Sequence, residues 1–366
     1  MRAVSSLLIS LAFFHPAAAM AQDAELPAPQ IYGFFHFIAT IHEDAKSALA
    51  QEPSGDQAAQ EVSGFQERRA RLGVRGKLAG GTAGYNVQTD WAANTPTVVD
   101  FWGSGYFSGG ELEVRFGRFK PHLSAEMHAS GAELPDIERS LAGKLIASYM
   151  FPQGTTRDLG LKAIYSLPGE MGTLHLSATN GLGNGPGAQA GGSVINQKNV
   201  RSKNLEDGML CAGLDLRPGG GLTVSVSAAV NRIRNASTAD GKVFDIDRSS
   251  YAAGARYDTS TLWLDGEYTA ASRGAADSSG KDEMRGYYLR LGAWILPGKL
   301  DVMARQQYFE QGVENKVRDK AVSLAVRGRH GGLEAVLEYT RTGGEKGSVF
   351  GPSDPSSLAA RLGFKF

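Results

Sequence analysis

His122, Glu126 and His128 crowd into one short stretch, and imidazoles with a carboxylate are donors that a zinc-like ion takes. A metal centre needs three or four convergent ligands and outer groups that orient them. The sequence offers no further partner beside these three, so the stretch reads as a polar loop, and no metal is expected. Serine, histidine and aspartate recur along the chain, but a nucleophilic triad is defined by geometry, and no spacing here points to one. No glycine-rich phosphate loop is present. The chain is therefore expected to carry no catalytic residue and to need no cofactor. Cys211 is the one cysteine, which excludes an intramolecular disulfide and reads as a small side chain on a strand. What remains is fixed positive charge. Arg69, Arg71 and Arg75 alternate along one stretch, and Arg115, Arg118, Lys120 and Lys144 follow further on. Cations held facing water attract anions.

The stretch that must position the first three arginines is Phe65–Leu78, FQERRARLGVRGKL. Side chains of a strand alternate between its faces with period two. Ala70, Leu72, Val74 and Leu78 then share one face, and Arg69, Arg71, Arg75 and Lys77 the other. Wound as a helix, the same residues would scatter the charges and leave no apolar stripe. One oily face and one cationic face suit a wall with lipid outside and water inside. Over the whole chain, Lys+Arg 38 and Asp+Glu 38 cancel, so net charge gives no attraction to nucleic acid. Residues 1–21 read as a secretory signal, with Met1-Arg2, the apolar Leu7–Phe14 and a small-residue cleavage site at Ala19-Met20-Ala21. Residues 22–366 are then the mature chain. No stretch approaches the roughly 18–20 apolar residues of a membrane helix. Any membrane must be entered as a closed barrel, the one sheet that leaves no backbone group unpaired in lipid.

Alternating segments separated by turn residues recur to the end of the chain. They fall at Ile31–Ile41, Phe65–Leu78, Ala83–Trp91, Thr97–Phe107, Glu111–Phe119, Asp158–Leu167, Thr173–Asn180 and Gly208–Leu216. Eight more follow at Leu222–Asn231, Ser250–Asp258, Leu262–Thr269, Arg285–Leu296, Leu300–Phe309, Ala321–Arg327, Leu333–Arg341 and Leu358–Phe366. The expectation is an all-β, transmembrane, antiparallel barrel of about 16 strands, wide enough to keep an aqueous channel. Short Gly/Pro turns alternate with long polar loops, as in outer-membrane barrels. Tyr32, Trp91, Trp102, Tyr106, Tyr165, Tyr257, Tyr268, Trp294, Tyr308 and Tyr339 lie near strand ends and are expected to form interfacial girdles. Lys120–Phe151 breaks the rhythm with a long, charged, irregular stretch. Water-facing acids are expected at Glu67, Asp90, Glu113, Asp265, Glu267, Asp301, Glu334 and Glu338, against basic residues that include Lys162, Arg256, Arg290, Arg305, Arg327, Arg361 and Lys365.

Phe65–Leu78 followed by Tyr85–Trp91, and then Val114–Arg139 (VRFGRFKPHLSAEMHASGAELPDIER), resemble the phosphate-selective porin O/P family. The terminal Leu358–Phe366, ending in an aromatic, looks like the last strand that bacterial outer-membrane barrels share. The resemblance implies a trimeric porin of the bacterial outer membrane whose third loop folds into the channel. By order that constriction loop is residues 120–151. Screening decays over roughly 8–10 Å at physiological ionic strength, so charges near a constriction select most strongly. The expected channel and anion-binding residues are Arg69, Arg71, Arg75, Arg115, Arg118, Lys120, His122, His128 and Lys144. Expected partners are small anionic or neutral solutes, outer-membrane lipid, lipopolysaccharide and two further copies of the chain, with no nucleic acid. Two alternatives stand beside the channel. One is a barrel that sheaths a partner protein such as an electron-transfer component, which needs an unobstructed lumen. The other is a barrel enzyme, which needs a cluster converging on the wall. Wall charges could also cancel in ladders of opposite sign.

Overall fold

The turn between two outward-alternating strands has to reverse the chain in two or three residues, and glycine makes that possible. At 79–81 and 168–170 the reversal runs through Gly80 and Gly169, both at φ 64°, a left-handed conformation that glycine adopts without steric cost. Short reversals of this kind recur along one rim of the molecule. The computed structural model describes residues 28–42, 64–92, 96–151, 156–181, 208–237, 243–274, 281–312, 316–344 and 356–366. The expected signal peptide, residues 1–21, lies outside them.

Sixteen antiparallel strands form a closed barrel. They are β1 (Gln30–His42), β2 (Gly64–Leu78), β3 (Ala83–Asp90), β4 (Thr97–Phe107), β5 (Leu112–Phe119), β6 (Asp158–Leu167), β7 (Gly172–Thr179), β8 (Gly208–Gly219), β9 (Leu222–Ser237), β10 (Val243–Asp258), β11 (Leu262–Gly274), β12 (Lys281–Leu296), β13 (Leu300–Gln311), β14 (Val317–His330), β15 (Leu333–Gly344) and β16 (Ser356–Lys365). Each pairs with its sequence neighbours, and β1 closes the ring on β16. Paired backbone bonds between Gly33 and the terminal Phe366, at 3.0 and 3.1 Å, fasten the seam at the short-turn rim. The outer face carries an exposed apolar band that includes Phe116, Leu161, Leu210, Leu264, Leu289, Leu324 and Leu362. That is the surface a hydrocarbon layer covers. No helix among the described residues is long and apolar enough to cross a membrane.

β2 departs from strict alternation. Its register shifts at a bulge opposite His36/Phe37, where Arg68 is the extra residue. Glu67 is thereby paired with Phe37, which is exposed on the outer face. The expectation of a water-facing Glu67 is corrected: cross-strand partners share a face, and the bulge moves Glu67 outward.

The segment between β5 and β6 turns into the barrel. It contains a single helical turn at Ala125–His128 (α1) and a helix at Leu141–Met150 (α2). The Ser140 side chain accepts from the Gly143 N–H and caps α2. Leu141, Ala142, Ile146 and Met150, with Phe151, pack on Met209, Ala229, Ala271, Met284 and Phe309 of the inner wall. A second cluster joins Ile137 to Ile38, Trp263, Met303, Ala325, Val336 and Ala359. Burying a Leu, Ile or Met side chain is worth about 1.5–3 kcal/mol, so these patches hold the loop against the wall. The interior is therefore not uniformly wet. One side is a loop-filled core and the other is open.

Candidate functional site in the barrel interior

The loop is fastened by buried charge as well as by oil. Arg290 of β12 pairs with Glu126 and Asp136 of the loop and lies 3.3 Å from Asp265 of β11. Arg305 of β13 reaches Asp136 and Glu338, each at 3.1 Å, and donates to the Glu138 carbonyl at 2.8 Å. Arg361 of β16 donates to the carbonyls of Asp136 (2.6 Å) and Leu134 (3.0 Å) and to Glu334. In return, Glu338 and Gln307 accept the backbone N–H of Ile137 and Leu141, each at 2.9 Å. Burial pushes the Asp136 carboxyl up, but Arg290 and Arg305 outweigh it and hold it below the usual carboxylate range. Glu138 is held well below that range because Lys144 and Arg68 overcome its burial. Arg327 is likewise matched to Asp301, at 2.9 and 2.5 Å. On this side the wall cations are consumed by structure, as in a balanced ladder.

The open side faces β1–β6 and encloses a lumen of about 1300 Å³. Among the described residues its lining has eight Lys/Arg, at 71, 75, 115, 120, 157, 162, 329 and 365, against three carboxylates, at 100, 133 and 334. Several of these cations are paired. Arg71 meets Asp90 at 2.8 Å, Arg115 meets Glu113 at 2.7 Å and lies over Trp102, and Arg157 grips Asp100 at 3.0 Å. Others have no carboxylate partner among the described residues. Arg75 bonds the Gln30 side-chain oxygen at 2.9 Å and lies over the Tyr32 ring. Lys120 donates to the carbonyls of Ala129 (3.0 Å) and His128 (3.4 Å), and Lys162 to the Lys120 carbonyl (3.4 Å). Burial lowers the Lys120 ammonium well below the ordinary lysine value, and Arg157 and Arg139 add to that. Burial and Lys162 likewise keep the His128 ring neutral.

The barrel is similar to known proteins in sequence profile and in fold. The sequence profile described as Gram-negative porin fits residues 5–347. The chain belongs to the Gram-negative porin family. It is a protein of the outer membrane. Comparison with curated protein sequences finds no match. Solved structures that are similar include an anion-selective porin from Comamonas acidovorans, with TM-score 0.65 and 13% identity, covering 93% of this chain and 99% of that one. OmpT, an outer membrane protein of Vibrio cholerae in trimer form, has TM-score 0.62 and 11% identity, covering 93% and 99%. The outer membrane channel DcaP of Acinetobacter baumannii has TM-score 0.59 and 13% identity, covering 92% and 97%. The match is to Gram-negative porins, not to the phosphate-selective porin O/P family in particular.

Within this porin the nine expected channel residues divide. Arg71, Arg75, Arg115, Lys120 and His128 line the lumen. Arg69 is buried beneath the loop, where a Cβ on Gly131 would lie 3.0 Å from its guanidinium. Lys144 projects from α2 to Glu138 at 3.3 Å, outside the lumen lining. Arg118 is placed against expectation. It is in register with Phe101 and Leu159, both exposed on the outer face, so it sits on the lipid side of β5. The period-two rule carries that result, since Arg118 shares a phase with Val114 and Phe116. Arg157 and Arg329 line the lumen but were not among the expected residues; Arg157 precedes β6, where alternation gives no signal, and Arg329 shares the phase of Arg327 in a strand that runs on past the expected end. Three expected girdle aromatics, Tyr32, Trp102 and Tyr106, face the lumen instead, and Trp294 packs inward beside Arg327.

His122 and His128 do come together, but not with Glu126, which is committed to Arg290 and Ser140. Their companions are His175 of β7 and Asp215 of β8. His122 Nε2 lies 3.1 Å and His175 Nε2 3.4 Å from the same Asp215 Oδ2. The His122 ring stacks on His128 at 4.5 Å between centroids and lies 4.7 Å from His175. These companions are distant in sequence, and only the β7–β8 pairing brings them under the loop.

Proposed function

We propose that this porin forms a water-filled diffusion channel for small anionic and neutral solutes, with a modest preference for anions. The observation that carries the reading is the lumen lining, in which Lys and Arg outnumber carboxylates and Arg75, Lys120 and Lys162 bond neutral oxygens rather than carboxylates. An anion entering such a lumen exchanges water for a field that favours it, while a cation does not. Passive diffusion needs no cofactor and no catalytic residue. The likeness to an anion-selective porin supports the reading at the level of the fold. Phosphate-like oxyanions are the favoured class, because guanidinium forks such as that of Arg75 suit them. We propose a homotrimer, in keeping with the trimeric form of the similar OmpT, with lipid and lipopolysaccharide against the apolar band. A sheath around a partner protein fits less well, because α2 and its apolar clusters occupy the interior. Liposome swelling tests the proposal: an anionic sugar acid should enter faster than an amino sugar of matched size. Equal rates, or faster entry of the cation, would refute it.

A further inference from the structure

We propose that His122, His175 and Asp215 form a binding site for a divalent transition metal of the zinc class, which clasps the inward loop to the barrel wall. Two imidazoles and a carboxylate are a donor set that such ions accept, and three protein ligands leave a coordination position open. The spacing suits one ion. Metal–ligand bonds of about 2.0–2.2 Å at tetrahedral angles place donor atoms about 3.3 Å apart. The two imidazole-to-Asp215 distances are 3.1 and 3.4 Å, and donor atoms of all three residues lie within 4.8 Å of one another. His128 stacks on His122 and its ring centroid lies 5.1 Å from that of His175.

The surroundings are built for this cluster. His122 lies flat against β8 because position 213 is glycine; a Cβ there would come 2.6 Å from the imidazole Cγ. Ser225 donates to the other Asp215 oxygen at 2.5 Å, the kind of outer contact that orients a ligating carboxylate. His122 is 2% exposed, and its Nε2 and that of His175 both point at Asp215 Oδ2. Two rings share one carboxylate oxygen, an arrangement that a single cation would complete. This inference does not rest on the anion preference, since the site could fill whichever ions the channel passes.

The test uses the full-length porin, refolded, stripped with a chelator and dialysed against micromolar zinc, with bound metal read by elemental analysis. The expected result is one zinc per chain. His175→Ala and Asp215→Asn should each weaken retention at least tenfold, and Ser225→Ala by about 10-fold or more. His330→Ala, at the short-turn rim, should retain the full amount. Heat-modifiable gel migration confirms that each variant is folded. Cobalt gives a second readout, because its visible absorption reports imidazole ligation directly. Failure of the wild type to hold zinc, or retention by folded Asp215→Asn and His175→Ala equal to that of the wild type, would overturn the site.

Discussion

Replacing Arg75 with Glu tests the lumen charge with little structural disturbance. Arg75 is exposed, bonds one neutral oxygen and lies over one ring, so its removal leaves no buried charge unpaired. A unit charge about 6 Å from a permeating ion in water is worth about 0.7 kcal/mol. Screening over roughly 8 Å reduces that by about half. Reversing the sign changes the charge by two units, so a monovalent anion loses about 0.7 kcal/mol and a cation gains as much. The ratio of the two permeabilities should then fall by about 1.4 kcal/mol, or roughly tenfold. Zero-current potentials across a planar bilayer under a salt gradient read this ratio directly. Arg118→Glu is the internal control, because Arg118 lies outside the barrel wall, and it should leave the potential unchanged. An unchanged ratio in Arg75→Glu, or an equal drop in Arg118→Glu, would refute the placement of charge argued here.

Arg290→Met leaves Glu126 and Asp136 buried without their shared counter-charge, which costs about 3–5 kcal/mol. The loop should leave the wall, and single-channel conductance should rise; unchanged conductance would mean that the ion-pair cluster does not hold it. Ile146→Ala, at a position with 0% exposure, should weaken docking of α2 by about 2–5 kcal/mol and be seen as earlier protease cleavage within residues 120–151. The depressed ammonium of Lys120, enclosed by Arg157, Arg139 and Asp100, should shed its proton well before an ordinary lysine near pH 10.4. Anion preference should therefore fall as pH rises, with a midpoint well under that value, and Lys120→Arg should flatten the curve. A wild-type preference that stays constant to pH 10 would contradict this.

Much of the barrel was legible in the sequence, because lipid enforces period two on every residue that crosses it. Thr97–Phe107 and Asp158–Leu167 begin and end where alternation places them. The rule fades at the loop-side rim, where both faces meet water. There β10 begins at Val243 rather than Ser250, and β14 at Val317 rather than Ala321. A single bulge at Arg68 inverted the face of Glu67, and bulges leave no mark in hydropathy. The inward position of residues 120–151 followed from order and resemblance. Their apolar grip did not, since the helical spacing of Leu141, Leu145 and Tyr149 spans one short helix after a charged, irregular run. Which side chains face the lumen was legible on the strands, as with Arg71, Arg75 and Arg115. The meeting of His122 with His175 and Asp215 was not, because it depends on which part of the wall the loop touches.

The account as a whole depends on water-filled space edged by unmatched cations. The zero-current potential of the wild-type porin in a potassium chloride gradient tests this most directly. The sign should show chloride passing more readily than potassium. A potential of the opposite sign would contradict the reading of the lumen on which the functional account is built.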